Sequence, residues 1–125
     1  MDIAPQAPNI TERTFAFAVS VVRFCQILVA KPGINRTLGQ QLLRAGTSIG
    51  ANLEEAQAAQ SSADFISKCS ISLKEARETI YWLRLLQATG QCENDDLRLL
   101  AQEADEISRI IGAIIVKTKT RRKDK

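Results

Sequence analysis

Apolar residues recur along this chain at alternating spacings of three and four, and this repeat constrains the fold more than any other feature. In a helix of 3.6 residues per turn, such spacings place the side chains on one face, which must be buried against another element. Three seams of this kind are present, the first with one polar member: Leu38, Leu42, Ala45, Ile49, Asn52 and Ala56; Phe65, Cys69, Leu73, Ala76, Ile80 and Leu83; and Leu97, Leu100, Ala104, Ile107, Ile111 and Ile114. With only three prolines, six glycines and 5% aromatic residues, the chain lacks the material for a turn-rich β fold. The sequence predicts an all-α protein.

Capping and turn residues divide the chain into four predicted helices. Asn9 followed by Glu12 has the form of a capping box, and Pro32 with Gly33 ends the first helix. Asn35 is the predicted cap of the second helix. The predicted helices cover about residues 10–30, 36–60, 63–89 and 95–118.

The connections between these helices are short, which favours antiparallel packing of consecutive helices. We therefore predict an antiparallel up-down-up-down four-helix bundle over residues 9–119. A disordered lead-in at residues 1–8 precedes it and a basic C-terminal tail at residues 120–125 follows.

The first predicted helix is apolar over more of its surface than one bundle core can bury. A helix of this kind usually faces a second partner, so we expect the chain to self-associate. Its large apolar residues are Phe15, Phe17, Val19, Val21, Val22, Phe24, Ile27, Leu28 and Val29.

Histidine is absent from the sequence. Its absence excludes Ser-His-Asp and Cys-His nucleophile systems, two-His zinc sites and the Glu-x-x-His di-iron sites of helical bundles. Carboxylates on the second and third helices, including Glu54 and Glu78, could share a proton or hold magnesium, but surface acids usually lie in water or pair with lysines. We predict no catalytic residue, no metal site and no cofactor.

The three cysteines are odd in number and lack metal-type spacing. Cys25 and Cys69 fall on apolar helix faces, where a thiol is normally a small buried hydrophobe and less often a reactive group. No uninterrupted apolar stretch is long enough to span a membrane, and the first 30 residues lack the pattern of a signal peptide. We expect a cytoplasmic protein with reduced thiols.

The second helix carries a line of glycines and, beside it, a polar stripe. Mid-helix glycine costs about 1 kcal/mol relative to alanine, so Gly39, Gly46 and Gly50 indicate a close helix approach, either inside the bundle or between subunits. The polar stripes of the second and third helices predict a buried hydrogen-bonded network that fixes their register, or else a ligand pocket. The predicted members of the network are Ser48, Asn52, Glu55, Lys68, Ser72 and Glu75.

Basic residues are concentrated in two places. Lys74, Arg77, Tyr81 and Arg84 form one line on the third helix, which suits either contact with nucleic acid or an ordinary surface or subunit contact. The last nine residues hold six basic side chains and one acid, although the whole chain carries a net charge of only +3. They either neutralise phosphates or serve solubility. The tail residues predicted to contact nucleic acid are Lys117, Lys119, Arg121, Arg122 and Lys123.

Two runs of residues resemble a known family, the bacterial four-helix bundle proteins called 23S rRNA intervening-sequence proteins. The first run is residues 44–52, RAGTSIGAN, followed by Glu55 and Ala56. The second comprises Asp64-Phe65-Ile66 with Lys68, then residues 74–79, KEARET, and residues 81–83, YWL. The resemblance extends over roughly residues 11–119.

The resemblance implies a ring-like homopentamer with no assigned enzymatic activity. It also implies a likeness to the accessory protein of diversity-generating retroelements, a pentameric basic bundle that partners a reverse transcriptase and nucleic acid. We therefore expect a non-enzymatic homo-oligomer that binds RNA or DNA through its basic surface and tail. The alternative is a scaffold for a protein partner, with no role in binding nucleic acid.

Overall fold

The computed structural model describes residues 9–92 and 94–123. This part of the chain forms four α-helices and no strands: α1 (Ile10–Val29), α2 (Ile34–Gln57), α3 (Ser62–Ala88) and α4 (Asp95–Lys123). The predicted all-α class is confirmed. The predicted lead-in at residues 1–8 and the last two residues of the predicted tail lie outside the described residues.

The helices begin at capping residues and end at short turns. The Asn9 side chain accepts a hydrogen bond from the Thr11 amide at 2.8 Å, and Ser61 accepts one from the Asp64 amide at 3.0 Å. Gly90 follows α3 with a φ of 66°, a left-handed conformation that side-chain-bearing residues rarely adopt.

Three helix boundaries differ from those expected, one of them the end of α2, which lies at Gln57 instead of residue 60. The cap of α2 is Gly33, with a φ of 98°, so the helix starts at Ile34 and the predicted cap, Asn35, lies inside its first turn. Glycine permits this backbone conformation, and the chain turns earlier than the sequence pattern suggested. At the other end of the chain, α4 continues to Lys123, because the residues after Gly112 include several lysines and arginines and no proline or glycine.

Contacts between consecutive helices run in opposite sequence directions. Gly50, Gly46 and Gly39 of α2 approach Thr14, Val21 and Val29 of α1, in that order. Between α2 and α3, Ile49 is bonded to Ser72 and Arg44 to Glu78. Each helix packs against two others, with α1 against α4 completing the ring. The pairs α1–α2 and α2–α3 are therefore antiparallel, as expected of an up-down-up-down bundle.

The core lies along the bundle axis and receives residues from all four helices, and most members of the predicted seams of α2 and α4 are buried in it. On α3 the buried face is rotated from the predicted one, since Phe65, Leu73 and Ile80 are only half-buried while two hydroxyl residues, Ser72 and Thr79, are fully buried. The buried residues of α3 are Ile66, Cys69, Ser72, Ala76, Thr79, Leu83 and Leu86. No helix in the described part of the chain is long and apolar enough to cross a bilayer.

The glycine line of α2 lies inside the bundle, against α1. A Cβ atom on Gly46 would be 2.9 Å from both γ carbons of Val21, and one on Gly39 would be 2.9 Å from a γ carbon of Val29. A Cβ atom on Gly50 would be 3.3 Å from the Thr14 carbonyl oxygen. Of the two alternatives left by the sequence, these three residues fit close packing within one chain.

We expect Gly46→Ala to destabilise the fold by about 1–3 kcal/mol, because overpacking a filled core outweighs the gain in helix propensity. Gly112→Ala is the matched control, since a Cβ atom there meets nothing within 4 Å. It should be neutral or stabilising by up to about 1 kcal/mol. Urea unfolding at one protein concentration measures both; equal stabilities of the two variants would contradict the packing role of Gly46.

Candidate interaction surfaces

The polar stripes of α2 and α3 make their contacts across the helix pair at separate points. The buried Ser72 hydroxyl donates a hydrogen bond to the Ile49 carbonyl at 2.8 Å. Near one end of the pair, Lys68 and Glu55 form an ion pair at 3.4 Å on the surface. Of these contacts only the one made by Ser72 is buried, and it fixes the register of the two helices where their backbones are close.

Two predicted members of this network bond within their own helix. Ser48 donates to the Arg44 carbonyl at 2.7 Å, and Asn52 donates to the Ser48 carbonyl at 2.8 Å. The prediction of one connected buried network is therefore wrong. Hydroxyl and amide side chains in a helix can reach the carbonyl of the preceding turn, and this local bond competes with contacts across the interface.

The remaining member, Glu75, belongs to a cluster centred on Arg44. The Arg44 guanidinium bonds Glu75 at 3.4 Å and also bonds Glu78. The indole nitrogen of Trp82 donates to the same Glu78 carboxylate at 2.9 Å. These contacts hold the Glu78 carboxylate on the α2 side of α3.

The predicted basic line of α3 is exposed. Lys74, Arg77, Tyr81 and Arg84 are all at the surface, and Tyr81 is 53% exposed. At 100° per residue, Lys74 and Tyr81 lie on the outer face of α3, opposite the buried Leu83, and Arg77 and Arg84 are shifted from it toward α4. Lys68, Glu75 and Trp82 lie on the side turned toward α2. The Tyr81 ring meets the edge of the Trp82 ring, with centroids 5.2 Å apart. The result is an aromatic ring flanked by three cations on one open face.

The basic end of α4 lies at the far end of the bundle from Arg84. Thr118 shares a surface depression with Phe65 and with the residues that connect α2 to α3. Arg84 is nineteen residues beyond Phe65 on α3, or about 28 Å along the helix axis, and Lys74 is about 14 Å along it. Lys117, Lys119, Arg121 and Arg122 are all exposed; Lys123 lies in the last helical turn. The two predicted basic regions are therefore separate surfaces on one chain.

The apolar surplus of α1 is exposed on two different sides. Phe17, Val21, Phe24 and Leu28 are buried in the core. Phe15 and Val22, which are 66% and 40% exposed, lie on the side turned toward α2, and Ile27, 71% exposed, lies on the side turned toward α4. Neither exposed patch is covered within the described part of the chain.

Between α1 and α4 lies an open cleft of about 570 Å³. Its floor is apolar, formed in part by Phe17, Phe24 and Leu100, and Leu99 on its rim is 52% exposed. The cleft is lined by Ala16, Phe17, Ser20, Arg23, Phe24, Ile27, Asp96, Leu99, Leu100 and Glu103.

An ion-pair cluster holds α1 to α4 beside this cleft. The Arg13 guanidinium donates to both oxygens of Glu103, at 2.7 and 2.8 Å, and lies 3.2 Å from Glu106. The hydrogen bond with Glu103 is the main cause that raises the pKa of Arg13 above its ordinary value, so the guanidinium stays charged. The sequence did not indicate this pairing, because nothing in a local pattern links residues ninety positions apart.

None of the described residues forms a group of three or more Cys, Asp or Glu that could hold a metal ion. The three cysteines are free thiols, with Cys25 and Cys69 buried and Cys92 half-buried. Burial raises the pKa of Cys25 to about 11 and also raises that of Cys69.

We expect only Cys92 to react quickly with a disulfide reagent such as DTNB in the native protein at pH 8. The attacking species is the thiolate, and Cys25 remains protonated until the pH nears 11. Absorbance should report one fast thiol, and all three should react after unfolding in guanidinium. Cys92→Ser should remove the fast phase; fast reaction of Cys25 or Cys69 in that variant would contradict their burial.

Comparison with known proteins agrees with this architecture. The model of the family described as 23S rRNA-intervening sequence protein matches residues 8–113. The fold is similar to the crystal structure of a protein of unknown function from the S23 ribosomal protein family of Bacteroides thetaiotaomicron, with 39% identity and a TM-score of 0.79. The alignment covers 86% of this chain and 98% of that one. No curated protein matches. The chain belongs to the 23S rRNA-intervening sequence protein family.

Proposed function

We propose that this protein is a non-enzymatic homo-oligomer that binds RNA or DNA through the basic end of α4. The observation that carries the proposal is the group of exposed cations in the last two turns of that helix: Lys117, Lys119, Arg121 and Arg122. The helix extends about 7 Å past Thr118, which lies beside the α2–α3 connection, so its end projects from the bundle.

The arrangement of these cations suits contacts with phosphates that do not depend on the base sequence of the nucleic acid. Residues of a helix are offset by 100°, so Lys117, Lys119, Arg121 and Arg122 point in several directions around the axis. They do not form the single recognition face that reads bases in a groove, but long basic side chains around a projecting helix can reach phosphates from several sides. Binding of this kind is electrostatic and falls with salt.

Self-association is the second part of the proposal. Phe15 and Ile27 are large apolar side chains, and both are about two-thirds exposed or more. Val22 is exposed beside Phe15, and Leu99 is exposed at the same cleft as Ile27; grouped exposed apolar residues are typical of a protein–protein contact. Family membership favours a ring of five subunits, and such a ring would present five basic ends to one polyanion, so avidity would compensate for the weak contact of each subunit.

Other features of the chain support the non-enzymatic reading and a cytoplasmic location. The sequence contains no histidine, which removes the commonest general base and metal ligand of helical bundles. Free thiols at all three cysteines suit a reducing compartment.

The nucleic-acid proposal is tested by anisotropy with a fluorescein-labelled 30-nucleotide RNA and its DNA equivalent over a range of salt. Each phosphate contact contributes about 0.7–0.9 to the slope of log K against log salt. Arg121→Gln with Arg122→Gln should therefore lower that slope by about 1.4–1.8 per subunit engaged.

Arg98→Gln with Arg109→Gln is the matched control for charge on the same helix. Each of these arginines pairs with an aspartate on α4, Arg98 with Asp95 and Arg109 with Asp105, so their loss should leave the slope nearly unchanged. Absence of binding at low salt, or binding that does not depend on salt, would contradict the proposal and favour a scaffold for a protein partner.

Native mass spectrometry of the purified full-length chain tests the assembly. We expect a discrete oligomer, with five subunits as the leading expectation, because the exposed patches of α1 need a partner to cover them. A monomer at micromolar concentration would contradict this part of the proposal and leave the nucleic-acid part to stand on its own test.

A further inference from the structure

The outer face of α3 presents one exposed aromatic ring among three cations. Tyr81 is 53% exposed, and Lys74, Arg77 and Arg84 are exposed as well. Along the helix axis, Arg77 lies about 6 Å from Tyr81 in one direction and Arg84 about 4.5 Å from it in the other. Among the residues that the structure describes, none of the three cations takes part in an ion pair. Their charge is therefore available to a ligand.

The acids of α3 beside this face are bound by the neighbouring helix. Glu75 and Glu78 both pair with Arg44 of α2. A carboxylate that is bound by a guanidinium contributes little negative field of its own. The surface around Tyr81 is thus positive, although Glu78 is only one helical turn away.

The acids of α4 do not neutralise the cations of α3 either. Those that lie beside α1 are Asp96, Glu103 and Glu106. The other two, Asp95 and Asp105, form ion pairs with Arg98 and Arg109 one turn along α4 itself. The positive charge of the α3 face therefore extends to its border with α4.

The Tyr81 ring is oriented by its neighbour in the sequence. It contacts the Trp82 ring nearly at right angles, with centroids 5.2 Å apart. The indole nitrogen of Trp82 donates to Glu78 at 2.9 Å, and Glu78 is in turn bound by Arg44. An aromatic ring ordered in this way loses less freedom when a ligand binds, so it is preorganised for a flat partner.

We propose that Tyr81 stacks on an unpaired base of single-stranded RNA or DNA while Lys74, Arg77 and Arg84 contact the flanking phosphates. An aromatic ring beside basic side chains is a common site for single strands, because every base has a face that can stack. This inference goes beyond the binding proposed for the end of α4, since it adds a second site and restricts its ligand to unpaired nucleotides.

The place of α3 in the bundle favours a single strand over a duplex. α3 packs against α2 on one side and against α4 on the other, and helices packed in this way lie about 8–10 Å apart. The major groove of DNA is about 12 Å wide and admits one helix, not a row of three. A base can therefore reach Tyr81 only when it is unpaired.

Trp82 reports on this site directly, because it is the only tryptophan of the chain and contacts Tyr81. The line from Lys74 to Arg84 is about 15 Å long, which suits a few nucleotides. We expect hexamers of uridylate and of thymidylate to change the fluorescence of Trp82 at low salt. A 30-base-pair duplex at the same phosphate concentration should have little effect, and unequal responses to the two hexamers would show whether RNA or DNA is preferred.

Affinities are measured by anisotropy of a labelled hexamer, in a chain that carries Arg121→Gln with Arg122→Gln so that the end of α4 contributes little. Adding Tyr81→Ala should weaken binding by about fivefold or more, as expected for the loss of one stacked base. Tyr81→Phe should keep the affinity, because the ring remains. Circular dichroism of each variant establishes that the helices are formed.

The role of the cations is tested in the same background. Arg77→Gln with Arg84→Gln should weaken binding of the hexamer and lower its salt dependence. Arg98→Gln with Arg109→Gln is the matched control, since it removes two arginines that already pair with aspartates. It should leave the affinity nearly unchanged.

The outcomes separate this site from the function proposed for α4. Equal binding by the Tyr81→Ala and Tyr81→Phe variants, or an equal response of Trp82 to the duplex, would overturn the stacking site. Loss of the oligomer in Tyr81→Ala, with no response of Trp82 to either hexamer in the unaltered chain, would assign this face to a subunit contact and also overturn it. A response of Trp82 that persists after Arg121→Gln with Arg122→Gln supports the site, whether or not the end of α4 binds nucleic acid.

Discussion

The rest of the structure depends on the close contact of α1 with α2. Gly39, Gly46 and Gly50 leave no side chain between the two helices, and Val21 and Thr14 fill the space with zero exposure. Mid-helix glycine is intrinsically unfavourable, so the packing of this contact must offset that unfavourable free energy. It also fixes how α1 is rotated about its own axis. With Val21 turned into α2, Phe15 and Ile27 cannot be buried as well, so the apolar excess of α1 is left on two outer sides.

The same rotation explains the cleft. The α1–α2 and α2–α3 contacts are drawn together by small residues, glycine in one case and Ser72 in the other. At the α1–α4 contact, Phe17 and Phe24 of α1 lie opposite Leu100 of α4. The ion pair of Arg13 with Glu103 joins the two helices there. Bulky side chains keep these two helices further apart, and an open groove remains between them. Packing inside the bundle thus determines where the open cleft lies.

Much of the fold could be predicted from the sequence, because seams with spacings of three and four specify helical faces without reference to tertiary structure. The prediction was wrong where a polar residue took a core position. On α3 the hydroxyls of Ser72 and Thr79 are buried, since each donates to a carbonyl, Ile49 in one case and Glu75 in the other. A pattern of apolar residues has no means of indicating such a satisfied hydroxyl, and it therefore placed Leu73 and Ile80 at the centre of the face.

The candidate surfaces, like the fold, could be predicted from the sequence only in part. Exposure of Lys74, Tyr81 and Arg84 on one line follows from helical spacing alone, but their distance from the basic end of α4 depends on the order of the helices in the bundle. That distance has a functional consequence. A nucleic acid that engaged both surfaces would have to span about 14–28 Å along the axis of α3, so a contact of a few nucleotides reaches one of them and leaves the other open.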